Sequence, residues 1–228
     1  MLFGGLQKTT LTDFPGEIAC IVFTSGCNFR CGYCHNPELF ERRKNPGFTE
    51  PDFFDFLKTR KNKLDGVVIT GGEPTIHKDL PNFIEKIKSE NFKVKLDTNG
   101  SDPEMLEDLI EKNLLDYVAV DIKAPLEKYS EITGVSTDTA KIKKSVKILL
   151  SNNIDYEFRT TVVKSQLSAD DILKIGKLIK GAKRYYLQKF RATKTLDEKF
   201  SNASTYSDEE FSRLCAKLTE YVQTPKFR

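Results

Sequence analysis

Segments typical of strands and segments typical of helices alternate along most of this chain of 228 residues. Short runs rich in Val, Ile, Leu and Tyr predict buried strands that begin near residues 18, 67, 94, 117, 156 and 185. Apolar residues at helical spacing follow them and predict helices at 80–90, 103–112, 139–150, 169–179 and 208–222, and another that begins near residue 49. Strands that alternate with helices indicate βαβ units on a parallel sheet.

The number of these units limits the architecture. Six strand–helix units are fewer than the eight of a complete TIM barrel, which typically needs about 250 residues. We therefore expect an α/β fold, a partial (β/α)6 TIM-like barrel with parallel strands and one open side. The apolar–polar stretches in residues 5–24, with the type II turn pair Pro15 and Gly16 between them, predict an N-terminal β-hairpin.

The domain organisation predicted from this pattern is a single domain over residues 1–228. It comprises a hairpin at 1–17, a partial barrel at 18–190, and a C-terminal loop and helix at 191–228. A polar stretch punctuated by Pro and Gly, 41–47, precedes the helix near residue 49, and residues 125–138 and 191–207 are expected to be surface loops.

Charge and hydropathy exclude several classes of protein. The 36 Lys and Arg residues nearly balance the 33 Asp and Glu residues, so no nucleic-acid or membrane partner is expected. No window has the roughly 18 apolar residues of a membrane helix, and the apolar run at the N-terminus is too short for a signal peptide. We expect a cytoplasmic protein.

Three cysteines lie on one short loop directly after the first barrel strand. Cys27, Cys31 and Cys34 have the spacing C-x3-C-x2-C in the string TSGCNFRCGYCHNP, residues 24–37. Three thiolates can hold a [4Fe-4S] cluster and leave one iron open for another ligand, and the spacing favours this site. The alternatives are a structural zinc ion held by the three cysteines and His35, and a disulfide that would leave an odd thiol. Cys20 and Cys215 are expected to be buried core thiols.

The motif resembles that of a known family. C-x3-C-x2-C with Tyr33 before its third cysteine resembles the cluster motif of the radical S-adenosylmethionine (radical SAM) superfamily. The string CHNP, residues 34–37, is similar to the activating enzymes of glycyl-radical enzymes. The string TTLTDFPG, residues 9–16, most resembles the anaerobic ribonucleoside-triphosphate reductase activating proteins. The resemblance extends from about residue 5 to residue 190 and implies a partial barrel.

The resemblance also implies an activity. Cys27, Cys31 and Cys34 would hold a [4Fe-4S] cluster that reductively cleaves S-adenosylmethionine (SAM) to a 5′-deoxyadenosyl radical. The radical would take hydrogen from a glycine of a partner enzyme, with anaerobic ribonucleotide reductase expected, and a one-electron donor such as flavodoxin or ferredoxin would reduce the cluster. The rival hypotheses are a radical SAM enzyme acting on a small molecule, such as a deazaguanine-forming synthase, and a non-catalytic zinc-binding interaction module.

Glycine, acidic or basic residues follow several of the predicted strands. The carboxyl ends of parallel barrel strands gather on one face of the barrel, so these residues are expected to be neighbours in space. After the second strand, Gly71 and Gly72 would allow close approach of a backbone or a ligand, although a tight turn alone would explain them. The resemblance implies that Gly71, Gly72 and Glu73 bind the amino group of SAM.

Acidic residues follow the next two strands. Asp97 ends a strand, where a carboxylate needs a partner. Asp121 and Lys123 lie on the same side of the next strand, where a structural salt bridge is the alternative to a binding role. The resemblance implies that Asp97, Asp121 and Lys123 contact SAM. It also implies a monovalent cation bound by Asp97, Thr98 and Asp121, whose hard oxygen ligands suit such an ion.

The last two strands carry two further candidates. Arg159 has the fork geometry for a carboxylate, and the resemblance implies the SAM carboxylate, whereas pairing with an acid of the chain is the alternative. Activating enzymes of the pyruvate formate-lyase type have Pro-Phe-His where this chain reads LQKFR, residues 187–191. We expect Gln188 to replace the ribose contact of the missing histidine, and this departure puts pyruvate formate-lyase in doubt as the partner.

The residues next to the cysteines complete the predicted site. Tyr33, His35 and Asn36 are expected to line the adenine pocket of SAM. His77 lies shortly after the Gly-Gly-Glu-Pro string and is expected at the surface.

Overall fold

A computed structural model of the chain describes residues 1–40 and 48–228, so the polar stretch predicted at 41–47 lies outside the described residues. The strands are β1 (Phe3–Thr10), β2 (Ala19–Thr24), β3 (Gly66–Gly71), β4 (Lys93–Thr98), β5 (Tyr117–Asp121), β6 (Asp155–Val162), β7 (Arg184–Lys189) and β8 (Thr224–Phe227). The helices are α1 (Glu50–Lys58), α2 (Leu80–Ser89), α3 (Pro103–Glu111), α4 (Tyr129–Thr133), α5 (Thr139–Leu150), α6 (Ala169–Leu178) and α7 (Asp208–Leu218).

The strands form one sheet in the order β1 to β8, in which β1 and β2 are antiparallel. The β2–β3, β3–β4, β6–β7 and β7–β8 pairs are parallel. Among the described strands the sheet does not close, because β1 and β8 lie at its two edges. The predicted α/β class, the open parallel sheet and the N-terminal hairpin are therefore confirmed.

Two short elements were not predicted. The predicted helix 208–222 ends at Leu218, and β8 follows it at the edge of the sheet, where Pro225 is tolerated because edge strands leave N–H groups unpaired. The predicted surface loop 125–138 contains α4, whose Tyr129 and Ile132 are buried.

The contacts divide the chain into two compact units. The first unit comprises Met1–Asn28, Glu38–Thr98 and Glu104–Val118. In its core the Phe3, Phe53 and Phe83 rings pack together, with the Phe3 and Phe83 centroids 5.2 Å apart. The single domain predicted from the sequence stays a prediction.

The turn between β1 and β2 covers one end of the core in the first unit. Gly16 has φ 81°, and the Glu17 backbone N–H donates to the Phe14 carbonyl oxygen at 3.1 Å, as a type II turn requires. The Phe14 ring packs with Ile21, Val68 and Tyr117. The string at 9–16 thus anchors an aromatic side chain at the amino-terminal ends of the strands.

The second unit comprises Phe29–Pro37, Asn99–Pro103 and Ala119–Arg228. Two of its helices, α6 and α7, begin with capping boxes in which Ser168 pairs with Asp171 and Ser207 with Glu210. The Phe227 ring of β8 stacks on Phe211 of α7 at 5.4 Å between centroids. Among the described residues no helix has the length and apolar character needed to span a bilayer.

Candidate functional site

In the first unit, the carboxyl end of β3 packs directly under the chain that leads to Cys27. Gly71 has φ 118°, and a Cβ added there would lie 2.3 Å from the Thr24 backbone nitrogen. A Cβ on Gly72 would lie 2.0 Å from the Gly26 carbonyl oxygen. Neither position accepts a side chain, so the two glycines let β3 support the entry to the cysteine loop.

Two hydrogen bonds fix this contact. The Gly72 N–H donates to the Thr24 carbonyl oxygen at 2.9 Å, and the Glu73 N–H donates to the Gly26 carbonyl oxygen at 2.8 Å. The residues immediately before Cys27 are therefore held by backbone geometry that requires glycine at both positions.

Glu73 is a buried carboxylate, only 1% exposed, at the centre of a network of donors. Its Oε1 accepts hydrogen bonds from the Thr75 N–H at 3.1 Å, the Thr75 hydroxyl at 2.7 Å and the Thr98 hydroxyl at 2.6 Å. A buried carboxylate is costly without such donors. The network connects the carboxyl ends of β3 and β4 in the first unit.

Asp97 has a basic partner that the sequence interpretation missed. Lys95 Nζ lies 2.7 Å from Asp97 Oδ1, and the two side chains are 2% and 12% exposed. The signal was available, because residues two apart on a strand share a face. Lys95 Nζ also lies 5.8 Å from the centroid of the Tyr117 ring, within the range of a cation–π contact.

In the second unit, Cys31 and Cys34 are joined by a tight turn. The Cys34 N–H donates to the Cys31 carbonyl oxygen at 3.0 Å, and the Asn36 N–H lies 3.5 Å from Cys34 Sγ as a hydrogen-bond donor. None of the five cysteines of the chain is in a disulfide. Burial raises the pKa of the Cys31 thiol, and the Lys123 ammonium group opposes that effect.

A segment at 196–200 holds the middle of the cysteine loop, although the sequence indicated only a surface loop there. The Asp197 N–H donates to the Gly32 carbonyl oxygen at 2.9 Å, and the Leu196 N–H to the Cys34 carbonyl oxygen at 3.1 Å. Phe200 meets the buried Tyr33 ring edge-on, with centroids 6.3 Å apart. Burial raises the pKa of Tyr33 well above its ordinary value, so this side chain stays a neutral phenol.

His35 is an exposed residue that contacts the end of β7. Its ring stacks on Phe190 at 5.2 Å between centroids and 12° between planes. Its Nε2 lies 2.8 Å from the Arg191 carbonyl oxygen, which fixes the orientation of the imidazole. No three Cys, His, Asp or Glu side chains of the described ranges, 1–40 and 48–228, form a group that could hold a single metal ion.

Asp121, Lys123 and Arg159 form an ion-pair cluster in the second unit. Arg159 Nε donates to Asp121 Oδ1 at 2.8 Å, and Lys123 Nζ donates to Asp121 Oδ2 at 3.2 Å. Burial alone would raise the pKa of Asp121, but the charges of Arg159 and Lys123 outweigh it and hold that pKa well below its usual range. The pairing with an acid of the chain, left open for Arg159 and Lys123, is therefore present.

The last two predictions to compare with the structure concern Gln188 and His77. Gln188 lies on β7 opposite Thr161 and is half-buried; its ribose contact stays a prediction. The expectation for His77 was wrong, because it is only 5% exposed. Its N–H donates to the Pro74 carbonyl oxygen at 3.1 Å at the end of a short 3-10 turn, which directs the side chain inward before α2.

The residues fit the cofactors that the sequence implies. Thiols are the donors that iron–sulfur clusters use, and those of Cys27, Cys31 and Cys34 are not consumed in disulfides. The Asn36 N–H at Cys34 Sγ matches the hydrogen bonds that cluster-ligating sulfurs typically accept. Gly71 and Gly72 form a side-chain-free cradle into which the backbone at Thr24 and Gly26 packs, and this contact positions the entry to the cysteine loop.

Comparison with known proteins agrees with this chemistry. The profile of the radical SAM superfamily matches residues 21–179. A protein of Methanocaldococcus jannaschii with the provisional name of a glycyl-radical enzyme activating enzyme is 34% identical over 100% of this chain and 95% of its own length. A 7-carboxy-7-deazaguanine synthase of Methanothermobacter thermautotrophicus is 35% identical over 54% of this chain and 47% of its own length.

The fold also matches solved structures. A crystal structure of Streptococcus suis SuiB bound to S-adenosylmethionine superposes with a TM-score of 0.65 at 16% identity. The match covers 90% of this chain and 51% of SuiB, so this chain spans about half the length of that protein. At this identity the likeness concerns the fold alone.

Proposed function

Because the chain belongs to the radical SAM superfamily, whose enzymes use a [4Fe-4S] cluster and SAM, we propose that it generates a glycyl radical on a partner enzyme. We further propose that this partner is an anaerobic ribonucleotide reductase. The observation that carries the proposal is the C-x3-C-x2-C loop, whose cysteines form no disulfide and which is entered over a cradle of two glycines at the end of β3.

Cys27, Cys31 and Cys34 would hold the cluster, leaving its fourth iron for SAM. When bound, the cluster and SAM supply one-electron cleavage of a carbon–sulfur bond to methionine and a 5′-deoxyadenosyl radical. The chain itself binds and orients these groups and keeps water away. The buried Tyr33 ring and the segment at 196–200 hold the loop between the second and third cysteines.

The proposed SAM contacts follow from charge. Lys123 and Arg159 carry two positive charges and Asp121 one negative charge. Glu157, 4.0 Å from Arg159, is balanced by its pairing with Arg228, so one positive charge is in excess, suited to one carboxylate. In this proposal Lys123 and Arg159 face the SAM carboxylate while Asp121 fixes their orientation. Gly71, Gly72 and Glu73 meet the SAM amino group, through backbone carbonyl groups and the Glu73 carboxylate.

The remaining pocket residues bind the nucleoside in this proposal. Tyr33, His35 and Asn36 line the adenine, and Gln188 donates to the ribose. The stacked His35 and Phe190 rings offer a flat apolar surface of the kind that a purine base prefers.

The partner is proposed from resemblance. The M. jannaschii relative aligns with the whole chain and carries the activating-enzyme name. The string at 9–16 supports this partner only through its resemblance to the reductase-activating proteins, and its Phe14 is part of the core of the first unit. The proposal places the reaction in the cytoplasm, where thiols stay reduced, with flavodoxin or ferredoxin as electron donor.

The second candidate function is radical SAM chemistry on a small molecule. The deazaguanine synthase of M. thermautotrophicus favours it, but its match covers only 54% of this chain. The whole-chain match therefore favours the activating enzyme.

Anaerobic reconstitution tests the proposal. Protein with iron, sulfide, SAM and reductant should form 5′-deoxyadenosine, and with anaerobic ribonucleotide reductase it should produce the doublet of a glycine-centred radical by electron paramagnetic resonance. Consumption of a free heterocycle without this doublet would establish the small-molecule enzyme. Purified protein with zinc and neither iron nor sulfide would establish the interaction module.

Cysteine variants supply the matched control for this experiment. Cys31→Ser should abolish 5′-deoxyadenosine formation. Cys215→Ser, in α7 and outside the loop, should leave it unchanged.

A further inference from the structure

A buried lysine lies beside one of the carboxylates at which a monovalent cation was expected. Lys95 is among the largest fully buried side chains of the described residues, and its Nζ lies 2.7 Å from Asp97 Oδ1. A buried ammonium group is costly unless it is paired with a carboxylate. The pair is therefore a fixed feature of the interior of the first unit.

The position of Lys95 shows that its pairing with Asp97 is not a solvent-exposed ion pair. It lies on β4 opposite Val68 of β3, and its Nζ lies 5.8 Å from the Tyr117 ring centroid. The carboxylate and the ring face together surround the ammonium group with negative electrostatic potential. These are the surroundings that a desolvated cation requires.

The other two expected cation ligands also have partners within the chain. The Thr98 hydroxyl donates to Glu73 Oε1 at 2.6 Å. Asp121, in the second unit, accepts from Arg159 through one oxygen and from Lys123 through the other. The negative charge at both aspartates is thus already balanced by side chains of the chain.

We infer that the ammonium group of Lys95 takes the place of a free monovalent cation at Asp97, so that this protein needs no potassium or sodium ion at its site. A second cation at Asp97 would lie within a few ångströms of the Lys95 ammonium group and would be repelled by it. The part of the test that measures SAM affinity rests on the proposed function, whereas the part that measures the melting temperature does not.

The test compares the reconstituted protein in KCl, NaCl and choline chloride at one ionic strength. Wild-type protein should have the same melting temperature and the same SAM dissociation constant in all three salts. Lys95→Met should melt lower in choline chloride and recover in KCl or NaCl. Its SAM dissociation constant should rise about tenfold in choline chloride and fall again with K⁺ or Na⁺, as expected when a group that supports ligand binding is removed.

Two further variants keep the test decisive. Lys93→Met removes an exposed lysine of the same strand, which pairs with Glu17, and should show no response to the salt. If Lys95→Met does not fold, the double variant Lys95→Met/Asp97→Asn, which removes both charges, should fold and melt equally in all three salts.

Wild-type protein that binds SAM more tightly in KCl than in choline chloride would overturn the inference, because a cation site would then exist beside Lys95. A Lys95→Met variant that folds but ignores K⁺ and Na⁺ would overturn it as well. A protein that takes up no cluster would defeat the proposed function, whereas the melting comparison would still decide the role of Lys95.

Discussion

Arg159 of β6 donates from Nε to Asp121 Oδ1 of β5 at 2.8 Å, and this ion pair is the centre of the charged cluster in the second unit. Arg159 is 10% and Asp121 24% exposed at the side chain. An arginine near the expected position of a carboxylate ligand is therefore already held in place by a carboxylate of the chain. The pair orients the guanidinium group before any ligand binds.

Removing this guanidinium group should destabilise the protein. Arg159→Gln leaves Asp121 with Lys123 alone, and we expect a loss of about 2 kcal/mol in the free energy of unfolding, below the ~3–5 kcal/mol for fully buried pairs. Urea unfolding at pH 7 measures this loss. The control is Lys174→Gln, which breaks an exposed pair with Glu127 and should leave the free energy of unfolding nearly unchanged. Equal losses in both variants would contradict the role of burial.

The same pair predicts how stability depends on pH. The pKa of Asp121 in the folded protein lies below its unfolded value of about 3.9, so its contribution is fully present above about pH 5. The contribution is lost as the pH falls through 3.9 toward the folded pKa. Asp121→Asn should therefore give a flatter fall of unfolding free energy between about pH 5 and pH 3. An unchanged slope would show that Asp121 is not the carboxylate responsible.

The glycine cradle gives a prediction about cluster content. Gly72→Ala would place its Cβ against the Gly26 carbonyl oxygen, which must move and would displace the backbone before Cys27. We expect reconstituted Gly72→Ala to hold less iron and sulfide per chain and to show weaker visible absorbance. Gly5→Ala is the matched control, because the nearest atom to its added Cβ lies 4.0 Å away.

If Gly72→Ala retains full iron, the cradle supports only the backbone turn. The melting temperatures of the two glycine variants, measured alongside, separate loss of the cluster from loss of the fold.

Much of the fold follows from local patterns. Helix α5 was predicted with its observed limits, residues 139–150, because its apolar residues repeat at helical spacing over twelve residues. Helix α4 has five residues and β8 has four, too few for any period to appear. The Pro225 of β8 also argues against a strand unless its edge position is known.

The site residues could be predicted where they lie close together in the sequence. They could not be predicted where the site depends on contacts between residues that are far apart in the sequence. The three cysteines are eight residues from first to last, so the string itself displays them. Leu196 and Asp197 reach the cysteine loop from more than 160 residues away, and no local pattern records that contact. The Lys95–Asp97 pair, by contrast, could be predicted from the sequence, because residues two apart on a strand share a face.

A final prediction concerns the coupling between the ends of β3 and β4. The Thr98 hydroxyl donates to the buried Glu73 Oε1 at 2.6 Å, so Thr98→Val and Glu73→Gln should each destabilise the protein and should not be additive. Hydrogen bonds to charged groups contribute about 1.5–3 kcal/mol, and we expect a coupling energy in that range from a double-mutant cycle in urea.

Thr205→Val serves as the comparison, because its hydroxyl donates to a neutral carbonyl oxygen, that of Val162, at 2.7 Å. This variant should lose only about 1 kcal/mol and should show no coupling to Glu73→Gln. The Thr98 and Glu73 variants should also bind SAM more weakly, since their shared network holds the segment that carries Gly71 and Gly72. Additive losses of unfolding free energy at Thr98 and Glu73 would mean that the two strand ends are held independently. The network would then not hold the two glycines in position.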